Sequence, residues 1–546
     1  MTLLANLFDP SRAHGALRAL TRPLYSWSLA GGGIPDRLIV LPPDPWAGDA
    51  GRGRWVANRV LERFGRQIPL DSHAFSTYDP VHGAAVHGFE WLRDLRALGG
   101  DNARRLGRQM MQEWLGLQSR WQEGVWDFPV TAARLANWLM GYDFFCASGD
   151  DHFLHAFYDS LIRQVRHLDR VDPARIAGLD ALLVIRAQIF TGLALDGGQD
   201  RLEHALGWCD HWIMHELDGE GMHVTRAPAT ALEAAKLLIE IRAALVRAGV
   251  PAPTVLQAAI DRIIHAIRFF RLPDGRFSCL HGGQEDDAAH LDTVQRVSAV
   301  RIRKAPSQLE SSGFESLVRE RTAVLVDCGL PPSHPHDRHH HASPLAFEMC
   351  VGRDRMIVHC GTHPVDPVWA DHLRATAAHS GLTLDDRNAF EIGRDGHIGR
   401  APARIDVRRD LAGGGVMLTM AHDGYAPLNG LIHTRRMTLA PDGGELTGED
   451  WLTADVAPAR PVQYAIRFHL HPRVQASLIQ DGRAALLRLP SGAGWRFTFA
   501  GNAALTLDAS VYCGSGATPR KTQQLVVAGA TEGADTRINW ALREEA

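Results

Sequence analysis

The stretch LAFEMCVGRDRMIVHCG, Leu345 to Gly361, consists of two short apolar runs on either side of Gly352-Arg353-Asp354. Leu345, Phe347 and Met349 fall on one face of an extended strand, because side chains alternate across a strand with a period of two. The Gly-Arg-Asp triplet supplies the turn between this run and the next. The same pattern continues to the C-terminus in RTAVLVDCG (321–329), ARIDVRRDL (403–411), GVMLTMAHDG (415–424), HTRRMTLAPDGGELTGEDWL (433–452), QYAIRFHLHP (463–472), AALLRLPSGAGWRFTFAG (484–501) and QQLVVAGA (523–530). Turn signals such as PDGG and SGAG separate the runs at regular intervals, which is the pattern of a large antiparallel β-sandwich.

Before about residue 316 the period is different. FEWLRDLRAL (89–98), TAARLANWLMGYDFF (131–145), FLHAFYDSLIRQVRHL (153–168), LDALLVIRAQIFTGLAL (179–195), LEHALGWCDHWIMHEL (202–217), TALEAAKLLIEIRAALVRAG (230–249) and TVLQAAIDRIIHAIRFFR (254–271) place apolar residues at i, i+3, i+4 and i+7. That spacing builds one face of an α-helix. Successive helices with short connections pair antiparallel, as in a helical toroid. The expected organisation is α+β and multidomain, with an N-terminal segment over 1–55. A helical (α/α) toroid follows over 56–315, and an antiparallel β-sandwich over 316–546. A ligand is expected in a cleft between the two halves.

Composition narrows the function classes. The chain has 546 residues, 45% hydrophobic and 22% charged, with a formal net charge of -4. That balance gives no general case for nucleic-acid binding. Seven scattered cysteines without a CxxC pair argue against a disulfide scaffold and for a reducing compartment. The opening MTLLANLFDPSRAHGALRAL lacks a basic start and a long apolar core, so no signal peptide is expected. No apolar run reaches the roughly 20 residues that span a bilayer. A cytoplasmic location is the expectation, with the periplasm as the alternative.

Imidazoles are abundant, 28 in all, and three stand in a row at His339, His340 and His341. If the strand geometry reaches back from Leu345, His339 and His341 share a face and His340 takes the other. His359 and His379 follow on successive segments. His341, His359 and His379 form a candidate metal site, since imidazole nitrogen suits zinc and three protein ligands leave a position open. A solvated or structural histidine cluster is the alternative reading of the same spacing.

Taken together, HASPLAFE, GRDRMIVHCGT and LRATAAHSGLTLD, between His341 and Asp385, resemble the β-domain core of the heparinase II/III family of polysaccharide lyases. Members read H-x-H-x-D-x-x-x-F-E, then V-x-D-x-G, then T-x-x-H-N or H-S. DGEGMHVTRAPATALEAAKLLIEI (218–241) is similar to the family's D-G-G-H-x-x-R-x-P segment, and FFRLPDGRFSCLHGG (269–283) to its D-G-x-x-x-x-F-N segment. The strand-rich stretches around residues 434–452 and 462–474 complete four matching segments in the family's order. The resemblance covers most of the chain. It implies an (α/α) toroid followed by a β-sandwich, with His339 as a cleft histidine. It also implies that His341 and His379 are metal positions, with His359 where the family has Asp.

The resemblance further implies β-elimination on an acidic, uronate-containing poly- or oligosaccharide. The sugar carboxylate must be neutralised, a base must take the C5 proton, and an acid must protonate the departing O4. His339, His281 and His223 are the candidate proton-transfer groups, because imidazole titrates near neutrality. Arg226 and Arg374 are the candidate carboxylate binders, with His223 beside Arg226. Thr230 and Ala231 stand where the family carries Tyr-His, and His281 where it carries Asn. Two other readings therefore accompany the lyase: an impaired acidic-glycan-binding or exopolysaccharide-processing protein, and a hydrolase reusing the cleft.

Three further features read as structural first. GGQEDD (282–287) is a solvated turn or a loop over the cleft. AGGGIP (30–35) lacks the lysine and helix of a phosphate-binding loop. Trp114, Trp121 and Trp126 either pack in a core or line a sugar groove.

Overall fold

The computed structural model describes residues 24–30, 33–285 and 288–545. Met1 to Leu20, read above for a leader, and Asp286 and Asp287 of the acidic loop lie outside the described residues. By its internal contacts the chain divides into two compact units. One comprises Met1–His215 with Ala234–Ile260, and the other Glu216–Glu233 with Asp261–Ala546.

The first unit is built of helices at the expected places, among them Gly100–Leu117, Phe128–Phe145, Asp151–Leu168 and Gly178–Ala194. Local signals set their ends. The Asp150 carboxylate caps Asp151–Leu168 by accepting the Phe153 N–H at 2.8 Å, and Pro129 sits in the first turn of Phe128–Phe145. Gly178–Ala194 is apolar on nearly every side and is buried almost throughout. One departure from helix is a two-stranded hairpin, Val60–Arg63 with Arg66–Pro69. Phe64 and Gly65 turn it with φ of 53° and 77°, a two-residue turn whose backbone twist suits a hairpin. Trp114, Trp121 and Trp126 all belong to the core, with Trp114 packed edge-on against Trp138 at 5.5 Å.

In the second unit helix gives way to strand between Ser298 and Gln308, close to the expected change of period. The strands form an eight-stranded and a nine-stranded antiparallel sheet. Their alternation is visible in burial: along Ile432–Leu439 every second residue is buried. The two inner faces share one core, in which Phe347 of one sheet stacks on Trp540 of the other at 5.7 Å. Gly448 lies beneath Trp540, where a Cβ would stand 2.0 Å from the indole. The longest connections between strands run over 328–346, 359–381 and 385–404, and the second of them carries the helix Pro367–Leu373.

Within the nine-stranded sheet, Thr322–Asp327, Phe347–Val351 and Asp354–Val358 are consecutive antiparallel neighbours. The end of the first, the start of the second and the end of the third therefore lie along one edge. That edge collects Asp327, His340, His341 and His359 from separate parts of the sequence.

Candidate functional site

Asp327 closes its strand with a fully buried carboxylate. The Arg226 guanidinium donates to Oδ1 at 2.5 Å, and Ser343 Oγ donates to Oδ2 at 2.9 Å. His281 Nε2 stands 3.1 Å from Oδ2. Burial alone would push this carboxyl up, but Arg226 and His281 hold it well below the usual carboxylate range. A buried ion must be paired and hydrogen-bonded, and this one is.

Three residues around Asp327 carry positive φ without being glycine. They are Arg226 at 57°, His281 at 43° and Leu345 at 57°, and the Leu345 N–H donates to the Asp327 carbonyl at 2.8 Å. Such conformations cost on the order of 1–3 kcal/mol each and persist where the surroundings dictate them. Arg226 is committed within the protein. Besides Asp327 it donates to the carbonyls of Ser312 at 2.6 Å and Gly329 at 3.2 Å, and it lies over the Phe314 ring at 4.6 Å. A Cβ on Gly329 would fall 2.2 Å from its Nη2, so this glycine leaves the room the guanidinium occupies.

The imidazoles gather beside this pair. His281 and His340 stack at 4.1 Å, and His340 Nε2 lies 3.5 Å from Arg226 Nη1. His341 Nδ1 meets His379 Nε2 at 3.2 Å, and the rings of His359 and His379 are 4.8 Å apart. Burial drives all five toward the neutral form: His359 falls to about 3, while His340, His341 and His379 fall well below the ordinary range. His281 falls as well, although Asp327 pulls it back up. Both ring nitrogens of His359 and Nδ1 of His281, His340 and His379 have no hydrogen-bond partner among the described residues. Unpaired nitrogens on neutral buried imidazoles are competent metal donors.

The sequence-derived candidates divide accordingly. His281, His341, His359 and His379 converge, with Arg226 beside them. His223 is fully buried and faces Thr225 Oγ1 at 2.9 Å and Glu216 at 3.5 Å, with burial lowering it to about 3. Arg374 is also buried, donating to the carbonyls of His340 at 2.9 Å and Gly396 at 2.7 Å. His339 is exposed on a turn, because residues 334–339 turn rather than extend toward the strand. The alternation expected for the triplet therefore fails, and His340 and His341 are both buried. Burial lowers His339, and Arg374 and Arg338 add to the effect. Among the described residues, the group of three whose ligand atoms all lie within 4.8 Å of one another is His334, Asp337 and His397, rather than the buried trio.

Sequence reasoning passed over Asp327, Ser343 and His340. The available signal was VDCG at 326–329, an acid closing a strand of apolar residues. Buried ionised acids are rare unless they serve a network.

The family description "Heparinase II/III-like, C-terminal" matches residues 301–541. The chain belongs to the heparinase II/III-like family. It is 32% identical over 491 residues to the FtsZ-localized protein C of Caulobacter vibrioides, covering 84% of this chain and 82% of that one. The structure of heparinase III superposes with a TM-score of 0.73 at 9% identity, covering 100% of this chain and 91% of the other. A mutant of the heparan sulfate lyase HepC from Pedobacter heparinus gives 0.66 at 13%, covering 96% and 87%. These heparinase-like structures fix the fold as a helical toroid followed by an antiparallel sandwich. No helix among the described residues is long and apolar enough to cross a membrane.

Proposed function

We propose that this heparinase II/III-like chain is a lyase that cleaves a uronate-containing poly- or oligosaccharide by β-elimination. The observation that carries the reading is the exposed His339 next to a buried, neutral imidazole cluster. His339 is the group we place at the substrate. With its pKa lowered it is neutral near pH 7, can accept the C5 proton, and as the C4–O4 bond breaks can pass that proton to the departing O4. His281 and His223 have side chains fully out of solvent, so we assign them positions behind His339 rather than contact with a polymer. Arg226 holds Asp327, and Arg374 holds the backbone of His340 and Gly396. A zinc-class ion held by His341, His359 and His379 would supply positive charge beside the site when bound. The unpaired nitrogens of His359 and His379 suit such a group, with His341 adjoining through its contact to His379.

The test is ultraviolet absorbance on a panel of acidic polysaccharides, since elimination leaves a conjugated unsaturated uronate. Wild-type protein should raise it, and His339→Ala should not. New reducing ends without absorbance would instead indicate hydrolysis.

A second reading, an acidic-glycan-binding protein without turnover, has an observation of its own. The tyrosines of the second unit are engaged elsewhere. Tyr425 donates to the Leu382 carbonyl at 2.7 Å, Tyr464 to the Asn502 carbonyl at 3.1 Å, and Tyr512 to Glu285. The Caulobacter relative is moreover named for where it localises, not for a reaction. Under this reading the chain binds an acidic glycan in the cytoplasm and localises with FtsZ, as the relative's name says of that protein. Binding of an acidic glycan without cleavage, together with recovery in the cytoplasmic rather than the periplasmic fraction, would favour it.

A further inference from the structure

We infer that His334, Asp337 and His397 form a second, surface-open site for a divalent ion of the zinc class, separate from the buried imidazoles. His397 Nδ1 lies 2.7 Å from Asp337 Oδ1 and 3.2 Å from His334 Nδ1, and His334 Nδ1 lies 3.9 Å from the same carboxylate oxygen. The circle through these three atoms has a radius of about 2.0 Å. That equals a zinc–nitrogen or zinc–carboxylate bond of about 2.0–2.2 Å. An ion near the centre is within bonding reach of all three, but with His334 and Asp337 about 165° apart, so the exposed His334 side chain turns to bring that angle toward the tetrahedral one zinc prefers.

Hydrogen bonding alone explains the trio poorly. A neutral His397 has one Nδ1 valence and two neighbours competing for it, one nitrogen and one oxygen. The donor set of two imidazoles and a carboxylate excludes calcium and magnesium, which take oxygen, and suits zinc or a neighbouring first-row ion.

The surrounding chain holds the carboxylate in place. Asp337 is buried, although it lies three residues after the exposed His334, and its second oxygen accepts the Ile398 N–H at 2.8 Å. The His397 turn is closed by its own bonds, Gly393 N–H to the His397 carbonyl at 2.7 Å and His397 N–H to Asp395 at 3.1 Å. Asp337 and His397 are thus fixed, while His334, with a side chain 72% exposed, completes the set from solvent and leaves a face open to water. An ion there clips the 393–399 turn to the 334–341 segment that carries His339.

The test is zinc binding to the full-length chain, read by equilibrium dialysis with metal analysis. His334→Ala and His397→Ala are compared with wild type and with His152→Ala, an exposed imidazole on a helix of the other unit. The expected result is one bound equivalent fewer in each of the two site variants and none lost in His152→Ala. Because the readout is a difference, zinc held by the buried trio does not affect it. His334 is exposed, so its loss leaves the fold intact. Hydrogen exchange supplies a second readout, with zinc slowing amides of residues 393–399 in wild type but not in His334→Ala. Equal zinc uptake by wild type and His334→Ala overturns the proposal.

Discussion

Replacing Arg226 by Met removes the partner of a carboxylate that has no access to water. In the wild type the guanidinium holds Asp327 ionised at 2.5 Å, with Ser343 satisfying the other oxygen. Without it the desolvation that pushes the carboxyl up is opposed only by His281 and His340 and by the hydrogen bond from Ser343. Breaking a buried pair from one side costs about 3–5 kcal/mol. For a unit of about 300 residues that is a fall in melting temperature of about 5–8 °C. Thermal unfolding and guanidinium titration of the full chain measure it. Adding Asp327→Asn to Arg226→Met removes the stranded charge and should recover part of the loss, which a cycle of single and double variants quantifies. An unchanged melting temperature with weakened glycan binding would refute the reasoning, because it would mean Arg226 is free to hold a substrate carboxylate.

Other outcomes follow from the same geometry. Gly329→Ala should mimic Arg226→Met, since the new Cβ occupies the guanidinium's place, and the melting temperature checks it. Gly448→Ala should destabilise the sandwich by about 1–3 kcal/mol by forcing Trp540 out of its position, read by denaturant unfolding. Glu285 is raised by burial but lowered more by His471, Arg355 and Tyr512, to about 2. A depressed acid contributes stability that is present above its unfolded pKa and lost as pH falls through the folded one. Stability should therefore drop by roughly 2–3 kcal/mol between about pH 4.5 and 2, and Glu285→Gln should remove that part of the slope. His339→Ala should lower the rate of any cleavage by roughly 10²–10⁴ without moving the melting temperature.

The two halves of the fold were legible because each carries its own hydrophobic period over many residues. The hairpin at Val60–Pro69 was missed because its strands are only four residues long, too short for a period to register. At the site, the sequence named His281, His341, His359 and His379, which do converge. It misjudged the triplet because a turn over 334–339 breaks the phase that Leu345 to Met349 would set. Arg226 illustrates a general limit. Its residue type suggested a ligand, yet the chain supplies the anion itself from Asp327, about a hundred residues away and joined only by the sheet edge.

The central claim is tested most directly by following ultraviolet absorbance while wild-type protein is incubated with a panel of uronate-containing polysaccharides. A steady rise is expected on at least one of them, abolished by His339→Ala at an unchanged melting temperature. No rise on any glycan that the protein demonstrably binds would contradict it and leave a heparinase-fold binding protein in its place.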